Sequence, residues 1–483
     1  MSDLITGPLP PIPLDVLVGG AWHPATDRFT VDDPATLTPI ARVADAGEEE
    51  ARAAVDAAHD AFEPWAASSP RRRSEVLRRA YELMVAEAET GALLIARENG
   101  KAWRDALGEV TYAAEFFRWF AEEAVRLRGD FRTAPGGDKT IIVDHHPIGV
   151  AYLITPWNFP AAMATRKIAP ALAAGCTCIL KPAAETPLTA LWIGDLLQRA
   201  GVPAGVVNVL PTTRPGVVSD VVLSDPRVAT LSFTGSTPVG KALMARTSNR
   251  ALRVSMELGG NAPFLVLEGS DVDRAVEIAL VAKMRNGGSA CTAANRLYVH
   301  ASLVDEFGRR LTSAFSGLRI GPGADRGTDL GSMVSTAEQA KVHHLLELAA
   351  AEGVRVVRAQ DAPAGGAFVA PYVVHDVRHG GALTGTEIFG PVAPLIAFDS
   401  VDDAVRMAND TTFGLISYVV SPDQGRGISI ARRLESGMVA VNRGVVSDPA
   451  APFGGMKESG IGREGGFAGI HEFLESQYIA ADL

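Results

Sequence analysis

Residues 150–181 read VAYLITPWNFPAAMATRKIAPALAAGCTCILK, and the pattern of this stretch sets the fold. It opens on Val150-Ala-Tyr-Leu-Ile-Thr155, an apolar run of strand length. Residues 161–174 follow as a helix, and Cys176-Thr-Cys-Ile-Leu-Lys181 is a second apolar strand. The alternation continues. A helix starts at Thr186-Pro187, a capping residue with proline at the first helical position, and runs to Ala200. A strand over 206–210, a helix over 216–223 and a strand over 228–233 complete the set. Strands this apolar are buried on both faces, as in a parallel sheet covered by helices. Ligands of such sheets bind at the carboxyl ends of the strands. Those ends carry the polar residues: Thr155-Pro-Trp-Asn-Phe-Pro160, Lys181-Pro182 and Phe233-Thr-Gly-Ser-Thr-Pro-Val-Gly240. Gly235-Ser236 at a helix start brings N–H groups toward a phosphate, although the spacing is GxxxxG rather than GxGxxG.

A second alternating region spans about 262–440, with strands at 264–267, 296–300, 393–398 and 416–420 and helices at 302–317 and 337–353. Inside it lies KMRNGGSACTAANR, residues 283–296, between a helix over 271–284 and the strand at 296–300. Cys291 sits on this crossing, where backbone N–H groups are free. Such a place lowers a thiol pKa and holds an oxyanion. The competing reading is a small buried hydrophobe.

Around these two units, the N-terminal 45 residues read as a Pro-rich arm and short strands. Helices are expected over 48–67, 74–99 and 102–127, the last with Phe116, Phe117, Trp119 and Phe120 as core. Arg71-Arg72-Arg73 precedes the second and reads as a solvated face. A strand over 139–146 and a terminal strand over 477–482 each need a partner edge, for the latter in another subunit.

The chain has 483 residues, 47% hydrophobic and 21% charged, and its length suggests roughly three domain-sized units with ordinary cores. Its net charge of −11 argues against nucleic acid or an anionic membrane as partner. The three cysteines, Cys176, Cys178 and Cys291, suit a reducing compartment. The start MSDLITGPLPPIPLD has no signal-peptide pattern, and no apolar run reaches a membrane span, so the cytoplasm is expected. His145-His146, His343-His344 and the pair His375/His379 lack the spacing of a metal site.

Thr155-Pro-Trp-Asn-Phe-Pro160, Phe233-Thr-Gly-Ser-Thr237, Met256-Glu-Leu-Gly-Gly-Asn261, Cys291 and Glu387-Ile-Phe-Gly-Pro391 together resemble the aldehyde dehydrogenase superfamily, in its order and spacing. The resemblance implies an α/β fold of three parts. These are a Rossmann-type NAD(P)-binding domain (1–128 and 148–258), an α/β catalytic domain (259–455) and a small β oligomerisation element (129–147 and 456–483). It implies a homodimer or homotetramer. It makes Cys291 the nucleophile, Asn158 with the Cys291 N–H the oxyanion donors, and Glu257 the general base. Cofactor contacts fall to Thr155, Pro156, Trp157, Lys181, Ala184, Gly235, Ser236, Leu258, Glu387 and Phe389. NAD-preferring members often carry glutamate three residues after this lysine. Ala184 stands there, with Glu185 next, so NADP is expected to be accepted alongside NAD.

Within the family, Trp157-Asn-Phe-Pro-Ala-Ala-Met-Ala-Thr-Arg-Lys167 and Met284-Arg-Asn-Gly-Gly288 look most like the succinate-semialdehyde dehydrogenase branch. That likeness makes Arg166, Arg285 and Ser447 binders of a distal carboxylate. The alternative is that each arginine is a structural ion-pair partner. Three departures stand out: Ser289 replaces a common glutamine, Ala293 removes a nearby second cysteine, and Arg443 replaces threonine and adds a cation. The expected reaction is oxidation of a short acidic aldehyde through a thiohemiacetal and a thioester. Alternatives are a phosphonate or aromatic aldehyde, or a catalytically silent homologue.

Overall fold

The computed structural model describes residues 7–482. Its central sheet has eight strands in the order Ala21–His23, Val16–Val18, Val207–Val209, Thr177–Lys181, Val150–Ile154, Val228–Thr234, Arg253–Glu257 and Gly460–Ile461. The five from Val207–Val209 to Arg253–Glu257 are parallel, and the additions at either end are antiparallel. Every residue of Val150–Ile154 and Thr177–Lys181 is buried, as continuous apolar runs require. The strand order reverses between Val150–Ile154 and Val228–Thr234, which opens a crevice at their carboxyl ends.

A second sheet runs in the order Arg355–Arg358, Tyr372–His375, Val392–Phe398, Ala294–His300, Ala262–Val266, Ile416–Val420 and Met438–Val441. All its pairings are parallel except the first. The loops 258–261, 285–293 and 387–391 enter the amino ends of its strands. The carboxyl ends of the first sheet and the amino ends of the second therefore meet at one cleft.

The C-terminal strand Leu474–Ala481 finds its partner within the chain rather than needing another subunit. It pairs antiparallel with Thr140–Pro147, which also pairs with Asp130–Thr133. This three-stranded ribbon leaves Phe131, Tyr478 and Ile479 exposed. The segment after 456 is divided, because Gly460–Ile461 closes the edge of the eight-stranded sheet.

Three helix expectations change. The helix expected over 74–99 is two, Pro70–Ala86 and Ala88–Glu98. Glu87 leaves the helical conformation between them, and its carboxylate takes the Trp192 indole N–H (3.0 Å) and the Arg199 guanidinium. The first of the two begins earlier than expected because Ser69 caps it, which brings the arginine triplet inside. Arg71 and Arg72 are exposed, but Arg73 is buried and donates to the Ala173 carbonyl at 3.0 Å. At Pro187–Ala200, Thr186 makes no capping bond; the carboxylate of Glu98 takes the N–H groups of Leu188 (2.7 Å) and Thr189 (2.9 Å). A carboxyl group has two oxygens and meets both orphan N–H groups where one hydroxyl meets a single one; burial pushes the Glu98 pKa up to about 8. No helix among the described residues is long and apolar enough to cross a membrane.

Candidate active site

The loop after Val150–Ile154 is held from beneath. Lys101, fully buried, donates to the Asn158 carbonyl (2.8 Å), lies 3.9 Å over the Phe159 ring, and is ion-paired with buried Glu109. Glu109 also accepts from Ala161 N (2.8 Å) and Ala162 N (3.2 Å), capping the helix Pro160–Ala174 from outside. Asn286 adds a second bond to the Asn158 carbonyl, from its side-chain amide at 2.8 Å. With its backbone fixed, Asn158 keeps its side chain free. Among the described residues, Oδ1 is buried without a partner and Nδ2 donates to nothing.

The segment before Cys291 is bent by three successive left-handed residues, Asn286, Gly287 and Gly288. At Gly288 any side chain is barred twice: φ is +79°, and a Cβ would lie 2.3 Å from the Gly390 carbonyl. Ser289 bonds the Phe389 carbonyl at 3.2 Å, tying this segment to the 387–391 loop. That loop is further fixed by Asn295, which donates to Thr386 O (2.9 Å) and accepts from Ile388 N (3.1 Å). Cys291 is half-buried, and its backbone N–H donates to nothing among the described residues.

Of the sequence-derived candidates, Pro156, Trp157, Asn158, Gly235, Ser236, Leu258, Cys291, Glu387 and Phe389 converge on one cleft holding about 640 Å³ of empty space. The rings of Trp157 and Phe389 meet edge-on at 5.3 Å across it. Glu387 accepts from Gly260 N at 3.1 Å. Thr155 lies just behind, its N–H on the Lys181 carbonyl at 3.2 Å. Lys181 is buried, with its ammonium on Pro182 O at 2.9 Å; burial pushes its pKa down to about 8. Ala184 opens with Glu185 onto a neighbouring cleft. This set suits a dinucleotide. The helix Thr237–Thr247 starts at Ser236 with no side-chain cap, and a helix start of that kind can meet a phosphate.

Glu257 ends the strand Arg253–Glu257. Its carbonyl takes the Gly235 N–H at 3.0 Å, while both carboxyl oxygens are buried with no hydrogen-bond partner. Gly454 passes so close that a Cβ there would lie 2.9 Å from Oε1. Burial, then the nearby Glu464, raise the Glu257 pKa well above the usual carboxylate range; Arg166 and Lys167 oppose this. An orphaned buried carboxyl beside a thiol and a free amide is the mark of a reaction centre. The thiol departs from expectation: its pKa is pushed up to about 12, not lowered. Burial is the main cause; Arg166 pulls the other way, while Glu387 and Glu257 add to the rise.

Arg166 and Arg285 differ in their partners. Arg166 is buried on Pro160–Ala174, donates to Tyr112 Oη at 2.8 Å, lies 3.5 Å from the Glu464 carboxylate and stacks 4.1 Å over Phe453. Its Nε is buried without a hydrogen-bond partner among the described residues, and its charge acts on the Cys291 thiol. Among the described residues Arg285 has no carboxylate partner. It lies 4.9 Å over Phe159 and 3.5 Å from Ser447 Oγ, and lines a further cleft with Ser447 and Tyr112. Arg443 is exposed and does not line that cleft. Sequence reading missed Glu464, which joins Arg166 to Lys167 and acts on Glu257. Its only signal was a carboxylate, one of two with Glu458, in the glycine-rich run 452–466. Tyr112, Lys101 and Glu109 had no signal, being ordinary members of a helix and its lead-in.

A model of the aldehyde dehydrogenase family matches residues 22–479. The chain belongs to the aldehyde dehydrogenase family. It is 48% identical to the succinate-semialdehyde dehydrogenase of Paenarthrobacter nicotinovorans over 91% of this chain and 98% of that one. It is 45% identical to the 3-sulfolactaldehyde dehydrogenase of Pseudomonas putida, over 96% of each chain. Among solved structures, an NADP-dependent enzyme of E. coli superposes with a TM-score of 0.96 at 43% identity, covering 100% of this chain and 99% of the other. The NAD+ complex of a Bacillus cereus aldehyde dehydrogenase superposes with a TM-score of 0.94 at 32% identity, over 100% and 98%. This aldehyde dehydrogenase is thus an NAD(P)-dependent oxidoreductase, and the dinucleotide features of its cleft agree with that.

Proposed function

We propose that this aldehyde dehydrogenase oxidises a short acidic aldehyde, succinate semialdehyde or a close analogue, to the carboxylic acid. The observation that carries the substrate class is Arg285. It is a guanidinium without a carboxylate partner, facing Ser447 in a cleft whose wall, Phe159, adjoins Asn158. A fork of donors at that place suits a carboxylate.

In this reading the Cys291 sulfur adds to the aldehyde carbon while its proton passes to the Glu257 carboxylate, which releases it to solvent before the hydrolytic step. The resulting oxyanion is met by Asn158 Nδ2 and the Cys291 N–H, both free of other acceptors. The bound nicotinamide supplies the hydride acceptor. Loss of hydride from the thiohemiacetal leaves a thioester on Cys291. Glu257, whose raised pKa suits a base, takes a proton from the water that hydrolyses it. Lys181 and Glu387 would hold the two riboses, Ser236 the phosphates, with Trp157 and Phe389 packing beside the ring. The small Ala184 leaves room for a 2′-phosphate, so NADP is accepted as well as NAD.

The eight-stranded sheet with its helices serves as the cofactor domain and the seven-stranded sheet as the catalytic domain. The ribbon with exposed Phe131, Tyr478 and Ile479 is the joining surface of a cytoplasmic homo-oligomer. The test is a panel of C3–C5 semialdehydes against butanal, with Arg285→Ala and Cys291→Ala. Acidic aldehydes should be preferred, Arg285→Ala should remove the preference, and Cys291→Ala should abolish NADPH formation. Preference for butanal by the wild type would refute the substrate class.

A further inference from the structure

The cleft containing Arg285 extends to a second arginine that neither the motifs nor the reaction account for. Helix Trp103–Glu123 presents Arg104, Gly108 and Tyr112, spaced four apart, along one stripe facing this cleft, which holds about 640 Å³ of empty space. Arg104 is exposed, and among the described residues no carboxylate pairs with it. The acidic groups on the same wall are committed elsewhere. Asp105 accepts the Asn286 N–H at 2.7 Å, and Glu109 is buried against Lys101 and the Ala161 and Ala162 N–H groups. Arg285 likewise has no carboxylate partner. In a chain of net charge −11, the cleft therefore presents two guanidiniums without an ion-pair partner among the described residues, exposed Arg104 and half-buried Arg285, against one carboxylate of the lining, Asp105, that is likewise not ion-paired. The hydroxyls of Tyr112 and Ser447 belong to the same lining. Gly108 leaves the space beside it open, since a Cβ there would meet nothing within 4 Å.

We propose that Arg104 is a specificity-determining residue, giving the substrate cleft a second cation. The cleft then selects aldehydes whose far end carries a dianionic head, such as a phosphonate, over a single carboxylate. The proposal rests on the acidic-aldehyde reading above and goes past it, because one charge on the substrate would leave one arginine unanswered. Arg443, the extra cation suggested by the sequence, is replaced in this role by a residue on a different element.

The test compares succinate semialdehyde, 3-phosphonopropanal and butanal in wild type, Arg104→Ala and Arg104→Lys, with calorimetric binding of 3-phosphonopropanoate as a readout free of turnover. Arg104→Ala should lower kcat/KM for 3-phosphonopropanal about tenfold, through KM, while changing butanal by no more than about twofold. Arg104→Lys should keep most of the wild-type value. The difference should shrink in 0.5 M KCl, because an exposed charge is screened there. 3-Phosphonopropanoate should bind Arg104→Ala correspondingly more weakly. Equal losses on all three aldehydes, or none on the phosphonate, would overturn the role of Arg104. A wild type that favours butanal over both acids would instead overturn the acidic-aldehyde reading, so the two failures are distinguishable.

Discussion

Replacing Lys101 by methionine removes the ammonium from a pair whose two side chains are completely buried. The methionine keeps most of the stem's packing against Phe159. What is lost is the cation beside Glu109 and the bond to the Asn158 carbonyl. Glu109 still receives two backbone N–H groups at the start of Pro160–Ala174 but loses its ion-pair partner. Breaking a buried pair in this way costs about 3–5 kcal/mol. Glu109→Gln strands Lys101 and should cost a similar amount, although the glutamine oxygen still caps the helix. The double variant strands neither charge, so it should be more stable than the sum of the singles by about 2 kcal/mol. Urea unfolding at fixed protein concentration, followed by tryptophan fluorescence, measures all four proteins. Activity should track the loop: Lys101→Met frees one of two bonds to the Asn158 carbonyl, and kcat should fall about tenfold or more with little change in cofactor KM. Additive losses in the cycle would refute the reasoning, because they would mean that the two groups do not depend on each other.

Asn158→Ala should lower kcat by about 10²–10³ with the aldehyde KM little changed, measured in the steady state. Glu257→Gln should slow turnover by about 10²–10⁴, seen in the steady-state formation of reduced cofactor; an unchanged rate would remove Glu257 from both proton transfers. With the cofactor absent, the raised pKa of Cys291 keeps it a thiol at neutral pH, so its alkylation by iodoacetamide should accelerate about tenfold per pH unit through pH 7–10. A plateau below pH 9 would show that the thiol is not raised. Gly288→Ala should be destabilised by more than about 1 kcal/mol, since the left-handed backbone and the Gly390 carbonyl both oppose a methyl group.

The alternating core was legible because buried parallel strands are uninterrupted apolar runs; Val150–Ile154 and Ile416–Val420 are wholly buried and were read at or near their bounds. Short or polar strands were not, such as Arg355–Arg358, which is half exposed at a sheet edge. Helix limits failed where the cap came from afar. Glu98 and Glu109 lie about ninety and fifty residues from the helix starts they satisfy, and no local pattern announces that. The cleft residues were legible through motif resemblance, and nine of them do line one cavity. The environment of each was not. Whether Arg166 faces substrate or Glu464 depends on a loop almost 300 residues away. Whether a thiol is lowered by N–H groups or raised by burial depends on how tightly the chain closes around it.

Helix Trp103–Glu123 carries Arg104, Gly108 and Tyr112 toward the substrate cleft and Glu109 toward the loop of Asn158. Entrance and catalytic floor thus ride on a single rod, one residue apart in sequence at their nearest. Tilting that rod to admit a bulkier aldehyde would drag the amide at 158 with it. Efforts to widen the range of acceptable aldehydes should trim side chains on its outer stripe and leave its axis alone.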